Sequence, residues 1–124
     1  MPRDILSIHH VSVIVADTAR ALRFYRDTLG LPVDATRPEL GYRGAWLTVG
    51  GQQIHLLELP NPDPVDGRPA HGGRDRHCAF TVRDLDRLRQ RLDADGVAYT
   101  LSKSGRRALF CRDPDGNALE FIET

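Results

Sequence analysis

Apolar and polar positions recur along this chain with two different periods, and the switches between them divide it into strands and helices. Residues 5–15 (ILSIHHVSVIV) form a β-branched apolar run that reads as a strand. Asp17 then stands as an N-cap, and Leu22, Tyr25 and Leu29 share a helical face before Gly30 and Pro32 stop the helix. Strands are expected near Val33–Thr36, Ala45–Val49 and Gln53–Leu59, the last two joined by the Gly50-Gly51 hairpin signal. Residues 60–76 hold four Pro and three Gly and read as a linker.

The same order then returns. His77–Val82 reads as a strand, Asp84 as a cap, and Leu85, Leu88 and Leu92 as the inner face of a helix closed by Gly96. Strands follow near Val97–Leu101, Arg107–Arg112 and Ala118–Ile122, with a type I turn at Asp113-Pro114-Asp115-Gly116. The chain is therefore an α+β protein in which a βαβββ module is written twice: residues 1–60, a linker over 61–76, and residues 77–124, together one domain.

An offset of 67 residues superposes His10 on His77, Val15 on Val82 and Asp17 on Asp84; an offset of 65 places Gly51 on Gly116, His55 on Glu120 and Glu58 on Glu123. Each module is thus expected to bury its sheet against the other module or against a second copy of the chain. Period-two alternation puts Ile8, His10, Ser12 and Ile14 on one face of the first strand, and Val11, Val13 and Val15 on the other. His77, Ala79 and Thr81 likewise oppose Cys78, Phe80 and Val82. The apolar faces should carry the helices, leaving the polar faces to line a cavity.

The repeat brings four potential ligands to equivalent positions in two pairs: His10 with His55, and His77 with Glu120. Imidazole and carboxylate together suit a divalent ion such as Zn, Ni, Co, Mn or Fe, and His10, His77 and Glu120 alone match a two-His-one-carboxylate iron set. A lone strand histidine is more often a packed residue than a ligand; the coincidence of positions argues otherwise here. Arg43, before the strand holding Trp46, and Arg106 with Arg107, on the equivalent turn, could hold an anionic substrate, or could be surface charges in an Arg-rich chain. Trp46 and Phe110 either line the cavity or belong to the core. His9 should point away from His10, and His71, in the linker, should lie in solvent.

Composition narrows the setting. Seventeen basic residues balance seventeen acidic ones, so nothing points to a nucleic-acid or anionic-membrane surface as partner. The N-terminus lacks a secretory apolar core, and no apolar stretch approaches the length of a membrane span. Cys78 and Cys111 lie far apart inside apolar segments, as buried free thiols do. A cytoplasmic location is the expectation.

The segments HHVSVIV, FYRDTLGL, GGQQIHLLE, RHCAFTV and DPDGNALEFIE, in that order and spacing, resemble the vicinal oxygen chelate superfamily, which includes glyoxalase I, extradiol dioxygenases, methylmalonyl-CoA epimerase and fosfomycin resistance proteins. The resemblance covers nearly the whole chain. It implies a cupped mixed sheet of paired βαβββ modules around a metal held by His10, His55, His77 and Glu120, with a small-molecule substrate; Trp46, Arg43 and Arg107 are the substrate-side candidates that the reading of the strands and turns adds. His55 stands where bacterial glyoxalase I resembles this chain but carries Glu, which leaves Glu120 as the carboxylate base. The implied activity is isomerase or lyase chemistry through an enolate or oxyanion bound by vicinal oxygens. Two alternatives stay open: an Fe(II)-dependent extradiol-type dioxygenase, and a non-catalytic drug-binding protein resembling the bleomycin-resistance proteins. A homodimer is expected, because such modules leave strand edges and apolar faces that association closes.

Overall fold

In the computed structural model, which describes residues 3–124, the N-terminal apolar run becomes a strand, β1, only over His10–Val15. Its ladder begins at the His10–Gln53 pair, and Ile5, Leu6 and Ile8 before it remain 87%, 88% and 63% exposed. His9 lies outside the strand, so alternation does not govern it. Contrary to expectation it folds back on its neighbour, with Nδ1 2.9 Å from Nδ1 of His10.

Helix α1 spans Thr18–Leu22, capped by Asp17, whose carboxylate accepts from Arg20 N at 3.0 Å. It widens into a π-helical stretch over Arg23–Thr28, where Leu29 N donates to Phe24 O, five residues back, at 2.9 Å. The wider turn lets consecutive aromatics, Phe24 and Tyr25, both face the core. Strands β2 (Gly44–Val49) and β3 (Gln52–Glu58) form an antiparallel hairpin, and β1 joins β3 in parallel, giving a sheet of order β1-β3-β2. The strand expected over Val33–Thr36 is reduced to a single bridge between Val33 and Leu47. Pro32 has no N–H to extend it, and the Asp34 carboxylate turns the chain by accepting from the N–H and hydroxyl of Thr36.

The second module is complete: β4 (His77–Val82), α2 (Leu85–Ala94), β5 (Tyr99–Leu101), β6 (Ala108–Arg112) and β7 (Ala118–Glu123), in a sheet of order β4-β7-β6-β5. Asp84 caps α2, and Leu85, Leu88 and Leu92 are buried, as their spacing requires. The chain is thus a mixed α+β fold of two sheets with few helices.

The apolar faces of both sheets enter one shared core, which gathers Val15, Ile54 and Leu56 with Phe80, Leu109, Leu119 and Phe121 around Tyr25 and Leu92. The turn 113–117 clasps the first module to the second. The Tyr25 hydroxyl donates to Asp113 Oδ2 at 2.6 Å, Asn117 Nδ2 donates to Ile14 O at 3.1 Å, and Asp115 Oδ1 accepts from Ala16 N at 3.0 Å and Arg20 Nη2 at 2.8 Å. Burial raises the Asp113 carboxyl and the Tyr25 hydroxyl above their ordinary ranges. The linker is tied down as well: Arg68 and Arg112 hold Asp75 at 2.7 and 2.8 Å, and buried Gly72 lies against Ala118 and Phe110. Among the described residues no helix is long and apolar enough to cross a membrane.

Candidate metal centre

Strand register fixes what stands beside each candidate ligand. In the first sheet Ser12, His55 and Trp46 form one row, and His10, Gln53 and Thr48 the next. In the second sheet Ala79, Glu120, Phe110 and Thr100 form a row, and His77, Ala118 and Arg112 the next. The repeat therefore extends beyond the ligands. Each central position, His55 or Glu120, has a small residue on one side and an aromatic on the other. These rows lie on the faces turned away from the shared core, as the alternation of the strands requires.

In the first sheet the His55 ring is sandwiched between Trp46, at 4.4 Å and 8° between planes, and His10, at 4.0 Å and 16°. Burial, and then the nearby His10 and His9, hold the His55 imidazole below the ordinary histidine range, so it is neutral at neutral pH. Its Nε2 lies 2.8 Å from Gln53 Oε1, and Gln53 Nε2 donates to Asp34 Oδ2 at 2.7 Å.

In the second sheet His77 Nε2 lies 3.1 Å from Glu120 Oε1, while the other oxygen of Glu120 accepts from Arg106 Nη2 at 3.1 Å. Glu120 is 3% exposed. His77 Nδ1 stands 2.9 Å from the carbonyl of Asp75, which can only accept, so Nδ1 carries a proton. Its Nε2 then faces a carboxylate oxygen, and a cation or a second proton must stand between them. A backbone carbonyl on the remote nitrogen is also what orients a metal-binding imidazole. The His77–Glu120 pair therefore suits two donors of a divalent ion. The two pairs stay on separate sheets: among the described residues no group of three or more His, Cys, Asp and Glu converges as a metal would need.

Other anticipated residues are placed differently. Arg107 turns to Glu123 and Asp86, at 3.1 and 3.3 Å, whereas its neighbour Arg106 reaches Glu120. Arg43 is exposed and lies just before β2, outside the strand that carries Trp46. Phe110 is buried and meets both His77 and His71 edge-on, with ring centroids 5.2 and 4.7 Å away. His71 does not lie free in solvent. The linker brings it over the second sheet, where Nδ1 is 2.7 Å from Thr100 Oγ1. Sequence reading missed Gln53 and Asp34. Gln53 was within reach of period two, since it shares a face with His55, but Asp34 arrives through the Val33 bridge and carries no local signal.

A βαββ unit with the remnant bridge of a further strand, followed by a complete βαβββ unit, each with ligand-type residues on its outward face, is a glyoxalase-like fold. The sequence matches the Glyoxalase/Bleomycin resistance protein/Dioxygenase superfamily over residues 7–121, and the chain belongs to that superfamily. It is 32% identical to glyoxylase I 4 of Arabidopsis thaliana over 125 residues, covering 96% of this chain and 71% of that protein. It is also 32% identical to the lactoylglutathione lyase of Haemophilus influenzae over 126 residues, covering 95% and 93%. Among solved structures, a glyoxalase family protein from Bacillus anthracis superposes with a TM-score of 0.82 at 28% identity, covering 100% of this chain and 99% of that one.

Proposed function

We propose that the chain is a metal-dependent enzyme of isomerase or lyase type, and that its site is completed in a homodimer. The observation that carries this reading is the His77–Glu120 pair, in which the only free nitrogen of an oriented imidazole meets a buried carboxylate oxygen at 3.1 Å. His10 and His55 occupy the repeat-equivalent positions on the other sheet, and His77 and Glu120 of the partner subunit would complete the set. The relatives named as lyases support a catalytic role.

A divalent ion held by His10, His55, His77 and Glu120 would supply Lewis-acid stabilisation to an oxyanion of a substrate that carries vicinal oxygens. The protein's own residues do the rest. Glu120 is the one carboxylate among the four, and it is the group that would take a proton from substrate carbon. Arg106 holds the other oxygen of Glu120 and aims the first. Trp46 stands beside His55 and Phe110 beside Glu120 in their rows, each placing an aromatic face next to a candidate ligand.

The test is metal analysis of protein purified without chelator or a histidine tag, followed by proton-exchange assays on 2-oxo compounds and oxygen uptake with catechols. Stoichiometric metal and solvent-proton exchange without oxygen uptake are expected. Oxygen consumption with a catechol would replace this reading with the iron dioxygenase, and metal-free protein that binds a drug would replace it with the sequestering one.

A further inference from the structure

The chain Asp34–Gln53–His55 has a direction that its chemistry imposes. A carboxylate only accepts, so the Gln53 group 2.7 Å from Asp34 Oδ2 is the amide nitrogen, and the amide oxygen is left facing His55. That oxygen also only accepts, so His55 Nε2, 2.8 Å away, carries the hydrogen. Asp34 cannot swing to reverse the order, because its Oδ1 is held by the N–H and hydroxyl of Thr36 at 2.9 and 2.7 Å. Nor can the ring rotate out of plane to exchange its edges, since it is stacked on Trp46 on one side and His10 on the other. Neither Asp34 nor Gln53 touches the His77–Glu120 pair.

We propose that Asp34 and Gln53 are positioning residues that fix His55 as its Nε2–H tautomer, so that this side chain offers Nδ1, and not Nε2, to the metal or to a substrate hydroxyl. The inference rests on the reading of His55 as a residue of the site. It distinguishes His55 from His77, whose backbone partner sits on Nδ1 and frees Nε2.

Long-range proton–nitrogen NMR of metal-free, nitrogen-15-labelled protein reads the tautomer directly, with the His55 signals assigned by their loss in His55→Gln. A protonated Nε2 and a bare Nδ1 are expected in the unmodified chain. Gln53→Leu should release the ring into a mixture of tautomers, and Asp34→Asn combined with Gln53→Glu should restore the original one, because an amide then donates to a carboxylate that still accepts from His55. Zn(II) titration should shift Nδ1 while Nε2 keeps its proton. Gln53→Leu should weaken Zn(II) binding about 10- to 100-fold, with recovery in the double variant. A bare Nε2 in the unmodified chain, or a tautomer indifferent to Gln53→Leu, would overturn the inference. Failure of Zn(II) to bind while Nε2 stays protonated would count against the metal site, and leave the fixing of the tautomer by Asp34 and Gln53 standing.

Discussion

Single side chains carry both the chemistry and the fold, and they separate cleanly by substitution. His77→Ala and Glu120→Ala should each strip most of the metal, since each removes a donor that no neighbour replaces; metal content after gel filtration checks this. Both variants should stay folded, because His77 is exposed and the Arg106 that Glu120 would leave behind can turn to water. Tyr25→Phe is the converse. It removes the donor of a 2.6 Å bond to a buried carboxylate, with no metal-site residue nearby, and should lower unfolding free energy by about 2 kcal/mol in urea while metal content is unchanged. Retained stability in Tyr25→Phe would mean that the clasp between the modules lies elsewhere. The four candidate positions stand out at this scale because the repeat aligns them in two pairs, and the structure keeps each pair together on its own sheet. Gln53 and Asp34 do not stand out in the sequence, because amide and carboxylate side chains on a strand or turn have many bland uses and only their three-dimensional order gives them a role.

At the level of elements, the strands, both helices and the 113–116 turn follow from period, caps and turn chemistry, and the structure places them within a residue or two of where the pattern does. The exceptions have physical causes. Residues 5–8 are as apolar as β1, but within the chain they have no strand to pair with, and the strand near Val33 fails for want of a donor at Pro32 and through the side-chain turn at Asp34. The linker is the element that the sequence most understates. Pro and Gly mark it as irregular, yet the hydrogen bonds of Arg68 and Arg112 clamp Asp75 and hold its carboxyl far below the usual carboxylate range. A carboxyl depressed in the folded state contributes stability above its ordinary pKa, and that contribution fades as pH falls below about 4. Asp75→Asn should therefore destabilise the protein at pH 7, and the gap from the unmodified chain should narrow between about pH 4 and pH 2 in thermal melts. A gap independent of pH would show that the clamp contributes by packing and not by charge.

For the molecule as a whole, the shared core turns the faces that carry His10 and His55, and His77 and Glu120, outward on separate sheets, and β1 and β4 end those sheets as unpaired edges. A cleft of about 660 Å³ runs between them, lined by Val11 and Val13 on one side and Cys78 and Ala79 on the other, with exposed Ile8 at its rim. Exposed apolar side chains beside free strand edges favour association. Sedimentation should give a dimer at micromolar concentration, and substituting Ile5, Leu6 and Ile8 together by Ser should shift it toward monomer. A monomer at high micromolar concentration would remove the basis for a site shared between chains.

The claim that one protomer supplies His10 and His55 while its partner supplies His77 and Glu120 is tested most directly by complementation. His10→Ala and His77→Ala proteins, each devoid of metal alone, are mixed, unfolded and refolded together, and the metal content of the mixed dimer is measured. A shared site leaves one intact set in every mixed dimer, formed by the unaltered half of each chain, so about one metal ion per mixed dimer should return, and activity with it. If the site lay within a single chain, every chain in the mixture would still lack a ligand; a mixed dimer that recovers no metal would contradict the account.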